Sequence, residues 1–146
     1  MAASLILDRF LPYRLSVASN AVSARVANAY RKRFGLRIAE WRLIAMLAEA
    51  PRLTPLALGE ATRMDKITVH RAAAALIERG LVETRDNPAD GRSHFLQLTD
   101  DGRALYAEIA PLALATECAV FRDFNAEERA LLEALLRRIE AAAGVE

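Results

Sequence analysis

A single cysteine, Cys118, rules out an intrachain disulfide, as expected of a chain kept in a reducing compartment. Histidine is nearly as scarce: the sequence has only His70 and His94, on different predicted elements. Neither histidine nor the cysteine has metal-ligand spacing or a catalytic setting, so no enzyme, metal or other cofactor is expected. Aromatic residues make up 6% of the chain, and no run approaches the ~20 apolar residues of a membrane span. Asp8 and Arg9 interrupt the start early, so no secretory signal is expected and the predicted location is cytoplasmic.

Alanine and leucine, by contrast, are plentiful, and hydrophobic residues make up 53% of the 146, enough for one core. Net charge is only +1, but it is unevenly spread. Residues 1–50 carry eight basic and three acidic groups, 51–99 seven and six, and 100–146 five and ten. A polyanion would be met by placed arginines in the first two thirds, with the acidic end turned away.

Leu11, Leu15, Ala18, Val22, Val26, Tyr30 and Phe34 recur at helical spacing, which predicts one long amphipathic helix ending near Gly35. Trp41, Ile44 and Leu47 share a face of a second helix. Thr54-Pro55 reads as an N-cap and first-turn proline for a short third helix to Thr62. Asp65 caps a fourth, with Val69, Ala73 and Leu76 as its buried stripe and Gly80 beyond its end. Then the period shortens. Residues 81–85 and 93–98 read as strands joined by the polar turn Asp86 to Arg92. Thr99 caps a fifth helix, whose stripe includes Ile109, Leu112 and Val120, with Cys118 expected buried and inert near it. Asn125 with Glu128 caps a sixth, striped by Leu131, Leu132, Leu135 and Ile139.

A tight helix pair followed by a hairpin is the winged helix-turn-helix plan. The predicted fold is mainly α with a small β-hairpin wing, as one domain over 1–146. About 36–99 form the DNA-binding lobe. About 1–35 and 100–146 are added dimerisation helices, whose apolar stripes call for a second copy.

The fourth helix would enter the major groove of double-stranded DNA. Lys66, His70, Arg71 and Ala74 lie on or beside its outward face, and Thr68 with the helix start suits a phosphate. Arg85 and Arg92 on the wing suit the narrow minor groove, with Asp90 placed to aim the Arg92 guanidinium. Each feature also fits an ordinary solvated surface.

In these segments the sequence resembles the MarR family of bacterial transcription regulators. The resemblance rests on residues 64–72, on Leu76 to Val82, on Asp90-Gly91-Arg92-Ser93 and on Leu98 to Gly102. Leu11 to Ser16 and Glu40-Trp41-Arg42 add to it. It implies a homodimer built from the first and last two helices on a pseudo-palindromic operator, and repression relieved by a small aromatic or carboxylate effector. Arg63 stands where the turn commonly has glycine, so either the turn differs or Arg63 reaches a phosphate. The wing has Gly91 where arginine is frequent, and His70 replaces a small hydroxyl residue. The effector cleft implied by the family would be lined here by Tyr13, Arg14, Ser16, Ser19 and Trp41. Arg14 would fork onto a carboxylate and Trp41 would stack on the ring. Two other readings remain: a winged-helix protein-interaction module, or a thiol-based redox-sensing regulator.

Overall fold

A computed structural model describes residues 2–144. After a single 3₁₀ turn at Leu7–Arg9, the chain forms α1 (Leu11–Ala27), α2 (Arg31–Phe34), α3 (Ile38–Glu49), α4 (Pro55–Thr62) and α5 (Lys66–Glu78). The hairpin follows as β1 (Val82–Asp86) and β2 (His94–Leu98), then α6 (Asp100–Val120) and α7 (Ala126–Ala143). The mainly helical fold with a two-stranded antiparallel wing is the one expected. Val82 pairs with Leu98 and Asp86 with His94.

Local rules set most helix starts. The Thr54 hydroxyl accepts the Ala57 N–H, an Asp65 carboxylate oxygen that of Thr68, the Thr99 hydroxyl that of Gly102 and the Asn125 amide oxygen that of Glu128. Each satisfies a donor that the first helical turn leaves without a partner.

The expected long first helix is interrupted. α1 ends at Ala27, and Tyr30 adopts φ −131°, ψ −16°, outside the helical region. The apolar period runs on through Val26, Tyr30 and Phe34, so periodicity alone does not register the break. The break swings Tyr30 inward until it is 2% exposed. Its ring stacks on Trp41 at 5.6 Å, and Trp41 stacks on Tyr106 at 5.8 Å. One aromatic stack thus joins the α1–α2 corner, α3 and α6.

The core lies in the middle of the chain. Leu36, Leu43, Ile44, Leu58, Val69, Leu76, Leu96 and Ile109 are essentially inaccessible to solvent. Leu53 adds a bridge to Leu96, with N···O distances of 3.1 and 2.8 Å, pairing one residue along the outer edge of β2. Arg79, at the end of α5, donates to the Phe34 carbonyl at 2.8 Å and ties that helix to the α2–α3 corner.

The outer elements are different. No described residue of α7 is buried, and Leu131, Leu135, Leu136 and Ile139 stand exposed along it. Leu5, Ile6, Leu7, Phe10 and Leu11 at the other end are also exposed. Cys118 corrects an expectation: it is exposed, because the second half of α6 extends beyond the core that Ile109 reaches. No described helix is long and apolar enough to cross a membrane.

Candidate nucleic-acid interface

α5 buries Val69, Ala72, Ala73 and Leu76 and turns Lys66, Ile67, His70, Arg71 and Ala74 outward. Successive residues are ~100° apart around a helix, so Lys66 and His70 lie on one flank and Thr68 on the other, with Arg71 between. Among the described residues, no acidic group comes within ion-pair distance of Lys66, Arg71, Arg63 or Arg92. Asp65, the nearest acidic residue in sequence, is held as the cap rather than in an ion pair. Both of its carboxylate oxygens accept from Thr68, the backbone N–H at 2.8 Å and the hydroxyl at 2.9 Å. Those bonds, the backbone one foremost, hold its carboxyl below the usual aspartate range.

The same cap occupies Thr68. Its hydroxyl is committed to Asp65, leaving less of it for a phosphate than the sequence suggested. Arg63 takes φ +56°, in the left-handed region that glycine adopts freely. The turn therefore has the glycine conformation without the glycine, at a cost of ~1–2 kcal/mol.

Each flank of α5 borders a hollow. On the Thr68 side a groove of about 460 Å³ is lined by Gly35, Arg37, Thr68, Arg71 and Arg79. Arg37, just before α3, is the functional candidate that sequence reasoning missed. The dense basic run from Arg31 to Arg42 was its signal, but only folding brings it beside Arg71. On the other side a cleft of about 970 Å³ includes Met64, Lys66 and His70 and reaches the end of α7.

Two side chains shape the turn of the wing. The Ala89 N–H donates to the Asn87 side chain, and the Arg92 N–H to Asp90 Oδ1, both at 3.0 Å. Asp90 thus restrains the Arg92 backbone rather than its guanidinium, which corrects the expected pairing. Arg85 is drawn to Glu83 at 3.0 Å. Glu83 also accepts from Gln97 at 2.7 Å across the hairpin, and this bond chiefly lowers the Glu83 pKa. Arg92 is thus the freer cation of the wing.

The five expected effector residues are not brought together. Tyr13, Arg14, Ser16 and Ser19 are all exposed on α1. Ser16 and Ser19 lie about 160° and 140° around the helix from Arg14, on the opposite side. Arg14 pairs with Asp8 at 3.2 Å, with about half its side chain exposed. Trp41 already stacks on two tyrosines of its own chain.

The MarR-family model matches residues 34–93, from the end of α2 to the wing tip. HosA, a transcriptional regulator of Escherichia coli O111:H-, is 28% identical over 100 residues, covering 68% of this chain and 74% of that protein. The crystal structure of a cysteine-to-serine mutant of MarR from E. coli, complexed with operator DNA, superposes with TM-score 0.81 at 25% identity, covering 94% of this chain and 99% of that one. BpsR of Bordetella bronchiseptica, whose DNA binding is regulated by 6-hydroxynicotinic acid, shares the fold with TM-score 0.87 at 24% identity, over 99% of this chain and 100% of that one. The family match thus falls on the helix pair and wing that carry the unpaired cations, while the fold is shared along nearly the whole chain: over residues 34–93 this protein is similar to the MarR family.

Proposed function

We propose that this chain is a homodimeric transcription repressor that binds double-stranded DNA and is released by a small aromatic carboxylate. One observation carries the DNA reading: the outward face of α5 presents Lys66, His70 and Arg71 with no acidic partner at hand among the described residues, beside a wing whose Arg92 is equally free. A helix so exposed beside a hairpin has the geometry that sets side chains against base edges in the major groove and an arginine in the minor groove. The exposed apolar faces of α1 and α7 and the apolar N-terminal segment are the surfaces a second copy would cover. The partition of residues 1–35 and 100–146 as dimer helices around a 36–99 lobe belongs to the same proposal.

Fluorescence anisotropy with a duplex selected from a random library tests the DNA reading. The logarithm of affinity should fall with the logarithm of salt concentration at a slope of about −0.9 per phosphate neutralised. Arg92→Ala should lower affinity across all sequences and flatten that slope by about one for each phosphate it leaves unneutralised, whereas Arg71→Ala should also relax base preference. A salt-independent response would favour a protein-interaction module.

The effector arm rests on Arg14. Its pairing with Asp8 is exposed and weakly held, so a carboxylate can replace Asp8 with two parallel bonds to the same guanidinium. BpsR, with the same fold, responds to an aromatic carboxylic acid. Trp41 is assigned to its stack with the two tyrosines rather than to an effector ring, and Ser16 and Ser19 to the other side of α1. In a thermal-shift screen of hydroxylated aromatic acids, a binder at 100 times its Kd should stabilise the protein by about 2.7 kcal/mol. Arg14→Ala should raise the Kd of that acid at least tenfold; an unchanged shift removes Arg14 from the site.

A further inference from the structure

Ile67 is 65% exposed, in the first turn of α5, where an isoleucine contributes nothing visible to folding. The buried stripe of Val69, Ala72, Ala73 and Leu76 lies on the opposite side of the helix. At ~100° per residue, Ile67, Arg71 and Ala74 form the middle of the outward face, with Lys66 and His70 to one side. The exposed apolar residues of the proposed dimer elements lie on the N-terminal segment, α1, α6 and α7, so the dimer proposed above would leave Ile67 uncovered. A β-branched side chain also favours a helix less than the straight-chain residues usual on solvated faces. An apolar group here has a use only if its partner is apolar too.

We infer that Ile67 is a specificity-determining residue that packs against the C5-methyl group of a thymine in each half-site. The inference rests on the DNA-binding reading above and adds to it the identity of a base. The first turn of a helix in the major groove meets base edges, and the thymine methyl is the one apolar feature that unmodified base pairs present there. Arg71, one turn along the same face, supplies the donor that an isoleucine lacks. Ala74, a further turn on, is short enough to let the helix approach closely.

The test uses the full-length protein and a duplex that it selects from a random library. Each thymine is replaced in turn by deoxyuridine, which removes the methyl group and keeps the pairing. At one thymine per half-site the replacement should weaken wild-type binding about fourfold, the worth of one buried methyl group. Ile67→Ala should bind the unmodified duplex several-fold more weakly and be indifferent to deoxyuridine at that position, while Ile67→Val should retain most of the sensitivity. Ile67 is exposed, so both variants should fold, and far-ultraviolet circular dichroism verifies this. Salt-dependent wild-type binding with no thymine whose deoxyuridine penalty disappears in Ile67→Ala would overturn the inference and leave the DNA reading standing. No wild-type binding to any duplex would overturn both.

Discussion

Replacing Leu135 and Ile139 of α7 by glutamate is expected to split the dimer and cost at least 100-fold in affinity for the selected duplex. The two side chains are one helical turn apart and 39% and 41% exposed in the single chain. No described residue of α7 is buried, so the helix gains little from its own subunit. An amphipathic helix of 18 residues is marginal alone and needs its apolar face covered. Covering that face with a second copy removes apolar area from water at about 25 cal/mol per Å². Two carboxylates on each copy would have to be desolvated in the same space, which costs several kcal/mol per buried ion. Two linked lobes also gain a factor of 10²–10⁴ from effective concentration, and monomers forfeit it. Light scattering after size exclusion should show the mass falling from two chains to one, with the lobe still cooperatively folded. A variant that stays dimeric would place the interface elsewhere.

The second large effect is expected at Gly102. A Cβ built there would overlap the Leu81 carbonyl oxygen and come within 3.2 Å of the Leu98 side chain. Neither the carbonyl nor the helix can move freely. The Thr99 N–H donates to that same carbonyl at 3.1 Å, and the Thr99 hydroxyl donates to the Gly80 carbonyl at 2.6 Å while capping α6. Gly102→Ala should therefore push α6 away from the root of the wing and cost about 2–4 kcal/mol, a large share of a typical folding free energy. Gly91→Ala at the wing tip is the matched control: nothing lies within 4 Å of its added Cβ, and a change within about 0.5 kcal/mol is expected. Urea denaturation should show the midpoint falling for the first variant only. Equal midpoints would mean that the corner between the wing and α6 yields easily. The glycine that helped mark the family resemblance has a steric reason in this packing.

What the sequence disclosed was mostly local. Thr54, Asp65, Thr99 and Asn125 announce their helices because a cap depends on neighbours three residues away. Gly80, in the left-handed region at φ +72°, marks the end of α5 for the same reason. Distant partners were not legible. The break at Tyr30 depends on a ring in α3 and another in α6, and its apolar spacing resembles an unbroken helix. The Leu53–Leu96 bridge joins segments far apart in sequence. In the interface, charged residues drew notice because their chemistry is conspicuous, whereas Arg37 needed folding to reach Arg71 and the exposure of Ile67 is seen only in the packed helix. Rotation about α1 divides the expected effector set within one chain: proximity in sequence put Arg14 with Ser16 and Ser19, and helical geometry separates them.

The three-ring stack has a mechanical consequence. The planes of Tyr30 and Trp41 are 24° apart and those of Trp41 and Tyr106 16° apart, close to parallel. Offset parallel rings tolerate lateral displacement, whereas prising them open exposes both faces to water. In the proposed dimer, a lobe anchored this way would travel by shear along the ring planes more readily than by hinging away from α1 and α6. The spacing of two such lobes would then have one soft direction, and a ligand wedged at the edge of the stack would act along it.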